Sequence, residues 1–212
     1  VIKPVVAFDI DGTMGDYHSH LLYFAAEYLG TMGIEDWRYA GHETFNSWFC
    51  RVFECDYRTW QDIKLAYRQG AQKRSMSPFK DMVRVAQTSE RLGCEVWVTT
   101  TRPYQRLDGI DPDTREWLRR NRVPYEGLIY SEDKYDDLAE RIEPDRVIAI
   151  FDDLVEMYDR AEELFGPSVP FLFRSVWNRA RSRPNRGDSG GAMRHLKDRF
   201  ATWKEHHEAS AA

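Results

Sequence analysis

Two short apolar runs, V-V-A-F at 5–8 and V-I-A-I-F at 147–151, each lead straight into aspartates: Asp9 and Asp11 after the first, Asp152 and Asp153 after the second. A run apolar at every position suits a strand covered on both faces, as in a parallel sheet. Carboxylates cannot continue such a strand in its buried environment. They mark its carboxyl end, where open α/β sheets leave a crevice for ligands. Residues 4–10, 95–100 (E-V-W-V-T-T), 127–130 (G-L-I-Y), 146–151 and 170–173 (P-F-L-F) all read as strands. Helical patterns lie between them. Ser77 and Pro78 read as an N-cap and first helical residue, Asp113 and Asp133 as caps of two further helices, and residues 154–165 as another helix. Strands alternating with helices predict an α/β fold, a sheet with helical crossovers.

Residues 14–76 break that rhythm. They are rich in aromatic side chains and hold no long buried strand, so they predict a mainly helical insertion after strand one. The expected division is a catalytic core from 1–13 and 77–177, a cap from 14–76, and a basic, partly flexible tail from 178–212. The tail carries a net charge of +4 in a chain of −5, and one short helix is expected across Met193, Leu196, Phe200 and Trp203. An acidic balance argues against a general nucleic-acid binder but leaves room for a local phosphate-binding arm. No apolar stretch reaches membrane-spanning length and no signal-peptide pattern opens the chain, so a cytoplasmic protein without membrane contact is expected. Cys50, Cys55 and Cys94 read as reduced thiols.

The acids carry the chemistry. In a strand, residues two apart point the same way, so Asp9 and Asp11 converge on one crevice. Asp152 and Asp153 arrive there from a second strand end. Carboxylates so close repel unless a cation neutralises them, and an all-oxygen ligand set suits Mg2+. Other strand ends bring non-acidic groups: V-T-T-T-R-P at 98–103 offers hydroxyls and a guanidinium, and Lys134 follows the 127–130 strand. Gly12 permits a tight turn and Thr13 adds a hydroxyl. A carboxylate nucleophile surrounded by hydroxyl, ammonium and Mg2+ is a set for phosphoryl transfer.

At this point D-I-D-G-T at 9–13, T-T-R-P at 100–103, Lys134 and F-D-D at 151–153 together resemble, in order, the four motifs of the haloacid dehalogenase-like phosphohydrolases. The second motif aligns on Thr100 or, one residue earlier, on Thr99; Thr100 is the choice taken here. The resemblance covers about residues 4–173 and implies a Rossmann-like core, with a parallel sheet and helices on both faces, that carries a small helical cap after strand one. It implies Asp9 as nucleophile forming an aspartyl phosphate, and Asp11 as general acid and then base. It implies Mg2+ held by Asp9, the Asp11 carbonyl and Asp153, with Asp152 in support, and Thr100 and Lys134 gripping the phosphoryl oxygens. An acid at position 11 points to phosphate transfer rather than dehalogenation.

The substrate is expected to be a small phosphorylated one. D-T-R-E-W-L-R-R at 113–120 resembles the 5'(3')-deoxyribonucleotidase branch, which implies a nucleoside monophosphate. R-V-I-A-I-F-D-D-L-V-E-M-Y at 146–158 is also similar to the phosphatase domain of phage-type polynucleotide kinases, which implies a 3'-phosphorylated nucleic-acid end. A sugar-phosphate or small-metabolite phosphatase is a further reading, and a non-catalytic binding protein on the same fold another. Rings of the insertion offer stacking faces for a base, with Trp37, Trp48, Phe49 and Trp60 foremost. Tyr17, Tyr39 and Phe45 belong to the same aromatic set, which must also pack the cap. Arg51, Arg58 and Arg102 are candidate phosphate contacts, and His18 and His20 lie close behind the first motif.

Overall fold

The computed structural model describes residues 2–31, 44–102, 107–175, 177–179 and 181–209. Six strands form one parallel sheet: β1 Val5–Phe8, β2 Glu95–Thr100, β3 Gly127–Tyr130, β4 Val147–Asp152, β5 Pro170–Phe173 and β6 Arg186–Gly187. Their order is β3-β2-β1-β4-β5-β6. The direction of winding reverses between β1 and β4, which opens a crevice beyond their carboxyl ends.

Alternation along β1 feeds two cores. Val6 and Phe8 pack with Met82, Val85, Trp117 and Leu196, contributed by α4 Lys80–Arg91, α5 Ile110–Arg120 and α8 Ser189–Ala209. Val5 and Ala7 pack on the other face with Tyr135, Leu138 and Ala161, from α6 Lys134–Arg141 and α7 Val155–Phe165. The expected α/β architecture is therefore the observed one, with a helical insertion after the first strand. That insertion holds α1 Tyr17–Leu29, α2 Phe45–Val52, α3 Tyr57–Gln69 and a 3-10 turn Gln72–Arg74. Leu21, Trp48, Phe49, Trp60, Ile63 and Tyr67 form a third core inside it. The chain enters and leaves the insertion side by side: Gly15 bridges Pro78, and Asp16 N donates to the Ser77 carbonyl at 2.8 Å.

Several local expectations change. Ser77 and Pro78 serve this paired hinge instead of capping a helix, and α4 starts at Lys80. Asp113 lies inside the first turn of α5, where its buried carboxylate meets Arg74 of the 3-10 turn. Asp133 precedes α6 but makes no capping bond with its side chain. The largest correction is at the C-terminus. The stretch expected as a partly flexible tail adds β6 to the sheet, and its helix runs for 21 residues. Ala192 and Leu196 are fully buried, and α8 packs on α4 and β4. Burial of that apolar stripe outweighs the polar, breaker-rich composition before it. Some of its basic side chains are tied to the core: Arg183 pairs with Asp159 at 2.6 Å, and Arg199 donates to the Ile148 carbonyl at 3.2 Å, while Arg179, Arg181, Arg194, Lys197 and Lys204 are exposed. Among the described residues, no helix is long and apolar enough to cross a membrane, and the three cysteines form no disulfide.

Candidate active site

Asp9 follows β1 directly, and its backbone N–H donates to the Phe151 carbonyl of β4 at 2.9 Å. This bond brings the two acid-bearing strand ends together. One oxygen from each of Asp9, Asp152 and Asp153 lies within 4.8 Å of the others, and all three residues are buried. Lys134, fully buried at the start of α6, places its Nζ 2.6 Å from both Asp9 Oδ1 and Asp152 Oδ2. Tyr135 Oη donates to Asp152 Oδ2 at 2.6 Å, and the Leu154 N–H to Asp152 Oδ1 at 2.9 Å. Both oxygens of Asp152 are thus engaged, which suits a supporting acid. Asp153 differs: its Oδ1 is buried without a hydrogen-bond partner.

Burial raises the Asp9 carboxyl to about 7, with Asp152 and Asp11 adding to the rise and Lys134 opposing it. Asp153 is pushed well above the usual carboxylate range by burial and by its two acidic neighbours. One lysine cannot neutralise three buried acids. Buried oxygen donors with an orphaned carboxylate oxygen fit a hard divalent cation such as Mg2+.

The loop after β1 turns sharply past Ile10, whose carbonyl receives the N–H groups of Thr13, Met14 and Gly15. Gly12 sits at φ +97°, and a Cβ there would stand 2.6 Å from Asp153 Cγ. Only glycine meets both demands. Thr13 is buried with its Oγ1 unpartnered.

Strand register places the two threonines differently. Phe8 pairs with Val98, so the next residues, Asp9 and Thr99, stand side by side. Thr99 shares its sheet face with Trp97, on the side that carries Tyr135 and Lys134. Alternation turns Thr100 to the opposite face, with Val96 and Val98. Both hydroxyls are buried. In register Thr99 is the nearer of the two to Asp9, Thr100 stands one residue further towards the carboxyl edge, and each hydroxyl is buried without a hydrogen-bond partner.

Asp11 is held by two cations. Arg102 Nη2 donates to its Oδ1 at 2.7 Å and Nε to its Oδ2 at 3.3 Å, while Nη1 donates to Thr114 Oγ1 at 2.7 Å. Lys73, from the 3-10 turn that closes the insertion, contacts Asp11 Oδ2 and lies 4.0 Å above the Tyr17 ring. Although burial alone would raise the Asp11 carboxyl, these two cations hold it well below the usual range. Burial in turn lowers the Lys73 ammonium to about 7. Arg102, a candidate phosphate contact from sequence, is thus engaged with the acid in this arrangement. Lys73 carries no motif signal and is found only through the fold.

The insertion's rings sort by burial. Trp48, Phe49 and Trp60 are fully buried, with Phe49 and Trp60 stacked at 3.8 Å. They build the cap and present no face to a ligand. Trp37 and Tyr39 lie outside the described residues. His18 packs against Phe45 and Trp177, and burial lowers it to about 4, so it is neutral. His20 bonds Tyr67 Oη and Ser75 Oγ, tying α1 to α3 and the return segment. Arg51 and Arg58 are exposed.

No protein-family model and no curated protein sequence matches the chain. Solved structures do. A candidate beta-phosphoglucomutase from Thermotoga maritima is 11% identical with a TM-score of 0.63, covering 92% of this chain and 99% of its own. HAD hydrolase, family IA, variant 3, from Entamoeba histolytica is 8% identical with a TM-score of 0.57, over 92% of this chain and 99% of that one. CbbY from Rhodobacter sphaeroides, in complex with phosphate, is 14% identical with a TM-score of 0.55, over 87% and 92%. The fold is the haloacid dehalogenase-like fold. At these identities the likeness is one of architecture, and the chemistry rests on the side chains described above.

Proposed function

We propose that this protein is a Mg2+-dependent phosphomonoester hydrolase that works through an aspartyl phosphate on Asp9. The observation that carries the reading is the buried Asp9–Lys134–Asp152 contact beside Asp153, whose free oxygen faces no protein donor. Asp9, Asp153 and the Asp11 carbonyl would hold the cation, with Asp152 fixed behind them by Lys134, Tyr135 and the Leu154 N–H. Bound Mg2+ would draw charge from the phosphoryl oxygens and offset the repulsion among the acids.

Asp9 attacks phosphorus, and the bond from phosphorus to the leaving oxygen breaks. Lys134 and Thr100 meet the equatorial oxygens as charge moves onto them. Asp11 gives a proton to the leaving oxygen, then takes one from the water that cleaves the aspartyl phosphate and releases inorganic phosphate. In the structure Asp11 is ionised, clasped by Lys73 and Arg102, which is its form for the second step. Accepting a proton for the first step requires that clasp to loosen. Replacing Asp9 by Asn abolishes turnover while the fold persists, and mass spectrometry of a quenched reaction finds phosphate on Asp9. Phosphate on another residue refutes the assignment.

For the substrate, we propose a small phosphorylated metabolite, with a nucleoside monophosphate as the first class. Support for a base-stacking surface now narrows to the rings near the hinge, Tyr17, Phe45 and Trp177. Full burial of Trp48, Phe49 and Trp60 favours the second reading, a sugar phosphate. A CbbY variant solved with xylulose 1,5-bisphosphate shares this architecture and lends that reading further support. The nucleic-acid-end reading loses the flexible arm it was drawn from, because the basic segment is folded onto the core, and what supports it is the exposed set Arg179, Arg181, Arg194 and Lys197. A stacked base contributes roughly 1–3 kcal/mol, about a 5- to 150-fold preference in kcat/KM for nucleotides over sugar phosphates. Equal turnover of ribose 5-phosphate and a nucleoside monophosphate excludes the nucleotide reading.

A further inference from the structure

Trp177 and Asn178 belong neither to the nucleophile loop nor to the inserted cap, yet they touch the surroundings of both. Asn178 is buried, and its side-chain amide is fully used. Its Nδ2 donates to the Asp153 carbonyl and to the Phe173 carbonyl, each at 2.8 Å. Its Oδ1 accepts from the Ser175 N–H at 3.1 Å and from Arg186 Nη2 at 3.2 Å. An amide with both donor hydrogens and its acceptor engaged has one orientation. The residue before it points elsewhere. The Trp177 ring sits against the cap, with centroids 4.6 Å from Phe45, 4.9 Å from Trp48 and 5.3 Å from His18. Adjacent α-carbons are about 3.8 Å apart. A single peptide unit therefore joins the aromatic seat of the cap to the backbone of the acid with the unpartnered oxygen.

We infer that Asn178 is a positioning residue for Asp153, and that Trp177 makes the seating of the cap part of the same device, so that the cap's aromatic contacts set the affinity of the carboxylate cluster for Mg2+. The inference rests on the metal reading given above. Its physical basis is the cost of gathering three buried carboxylates. Their mutual repulsion drives the strand ends apart unless backbone and side chains are held, and contacts one layer behind a ligand typically change metal affinity by 10- to 100-fold. Asn178 holds Asp153 through its carbonyl. Trp177 holds Asn178 through the chain, and Phe45 holds Trp177 from the cap.

Calorimetric titration of the whole chain with Mg2+ alone tests this, with the melting temperature in chelator measured in parallel. Asn178→Ala should weaken Mg2+ binding by about 10- to 100-fold. Asn178→Asp keeps the acceptor and loses the donor, so it should follow Asn178→Ala and serves if that variant does not fold. Trp177→Ala and Phe45→Ala should each weaken binding by at least about twofold, the lower bound for residues in contact. Phe45→Ala does so although it lies in the cap. The double variant should bind no more weakly than the worse single one, and Trp177→Phe should restore much of the affinity. Wild-type affinity in both Asn178 variants overturns the positioning role. Affinity changes below twofold in both ring variants, with only a lower melting temperature, overturn the link to the cap. A wild-type protein that takes up no Mg2+ overturns the metal reading itself, and this inference with it.

Discussion

Replacing Lys134 by Met keeps the length of the side chain and removes its charge, and this places the largest load on the site. The Nζ is fully buried and serves two carboxylates at 2.6 Å each. Without it, Asp9, Asp152 and Asp153 share a buried space with no cation among them. Removing one partner of a buried ion pair costs about 3–5 kcal/mol. In a chain of this size each kcal/mol moves the melting temperature by about 2–4 °C, so a fall of about 6–20 °C is expected without metal. The loss should be smaller in acid. Asp9 already binds its proton near neutrality, at about 7, and Lys134 is the main group drawing it down. Without Lys134 the carboxyl rises further and protonation relieves part of the repulsion. Mg2+ should also recover part of the loss, because it brings positive charge to the same oxygens. Differential scanning calorimetry at pH 8, in chelator and in saturating Mg2+, measures both effects. A variant that melts within about 2 °C of the wild type in chelator refutes the reasoning. So does one whose loss is the same with and without Mg2+.

The raised Asp9 carboxyl has a consequence for metal-free stability. Its contribution is fully present below the ordinary value of 3.8 and is lost as pH rises through about 7. Asp9→Asn should therefore gain stability relative to the wild type between those limits in denaturant titrations. A difference independent of pH would contradict the shift, and Mg2+ should flatten it. Trp60 packs the cap with its Nε1 donating to Asn46 Oδ1 at 2.9 Å. Trp60→Ala should cost about 3–5 kcal/mol and lower kcat/KM for nucleotide and sugar phosphates by the same factor; a change in selectivity would mean the ring reaches substrate. Lys73→Met removes one of the two cations on Asp11, which raises the Asp11 carboxyl. The alkaline fall of the rate should then move to higher pH for an alkyl phosphate, which needs a proton on its leaving oxygen, and stay in place for an aryl phosphate with a good leaving group. Profiles unmoved for both would remove Lys73 from the control of Asp11.

Sequence alone reached the sheet, the insertion and the acids, because each leaves a local trace. V-V-A-F and V-I-A-I-F are continuous apolar runs, and a run of that kind can be satisfied only between two covered faces. The acids at their ends follow from the same logic, and so does Lys134 at the start of the helix after β3. Tertiary structure decided what those traces leave open. Whether Thr99 or Thr100 stands beside Asp9 depends on the Phe8–Val98 register, a relation between strands. The cations on Asp11 come from 62 and 91 residues away, and no spacing rule connects them. The C-terminal segment reads as tail by composition, yet Ala192 and Leu196 are buried against α4 and β4 once the sheet exists to receive them. The aromatic residues of the insertion are the same in kind whether they line a pocket or fill a core. Burial separates them, and burial belongs to the packed chain. Periodicity is encoded within a few neighbouring residues. Charge pairing and burial are set by which distant segments share a crevice, and folding alone brings those together.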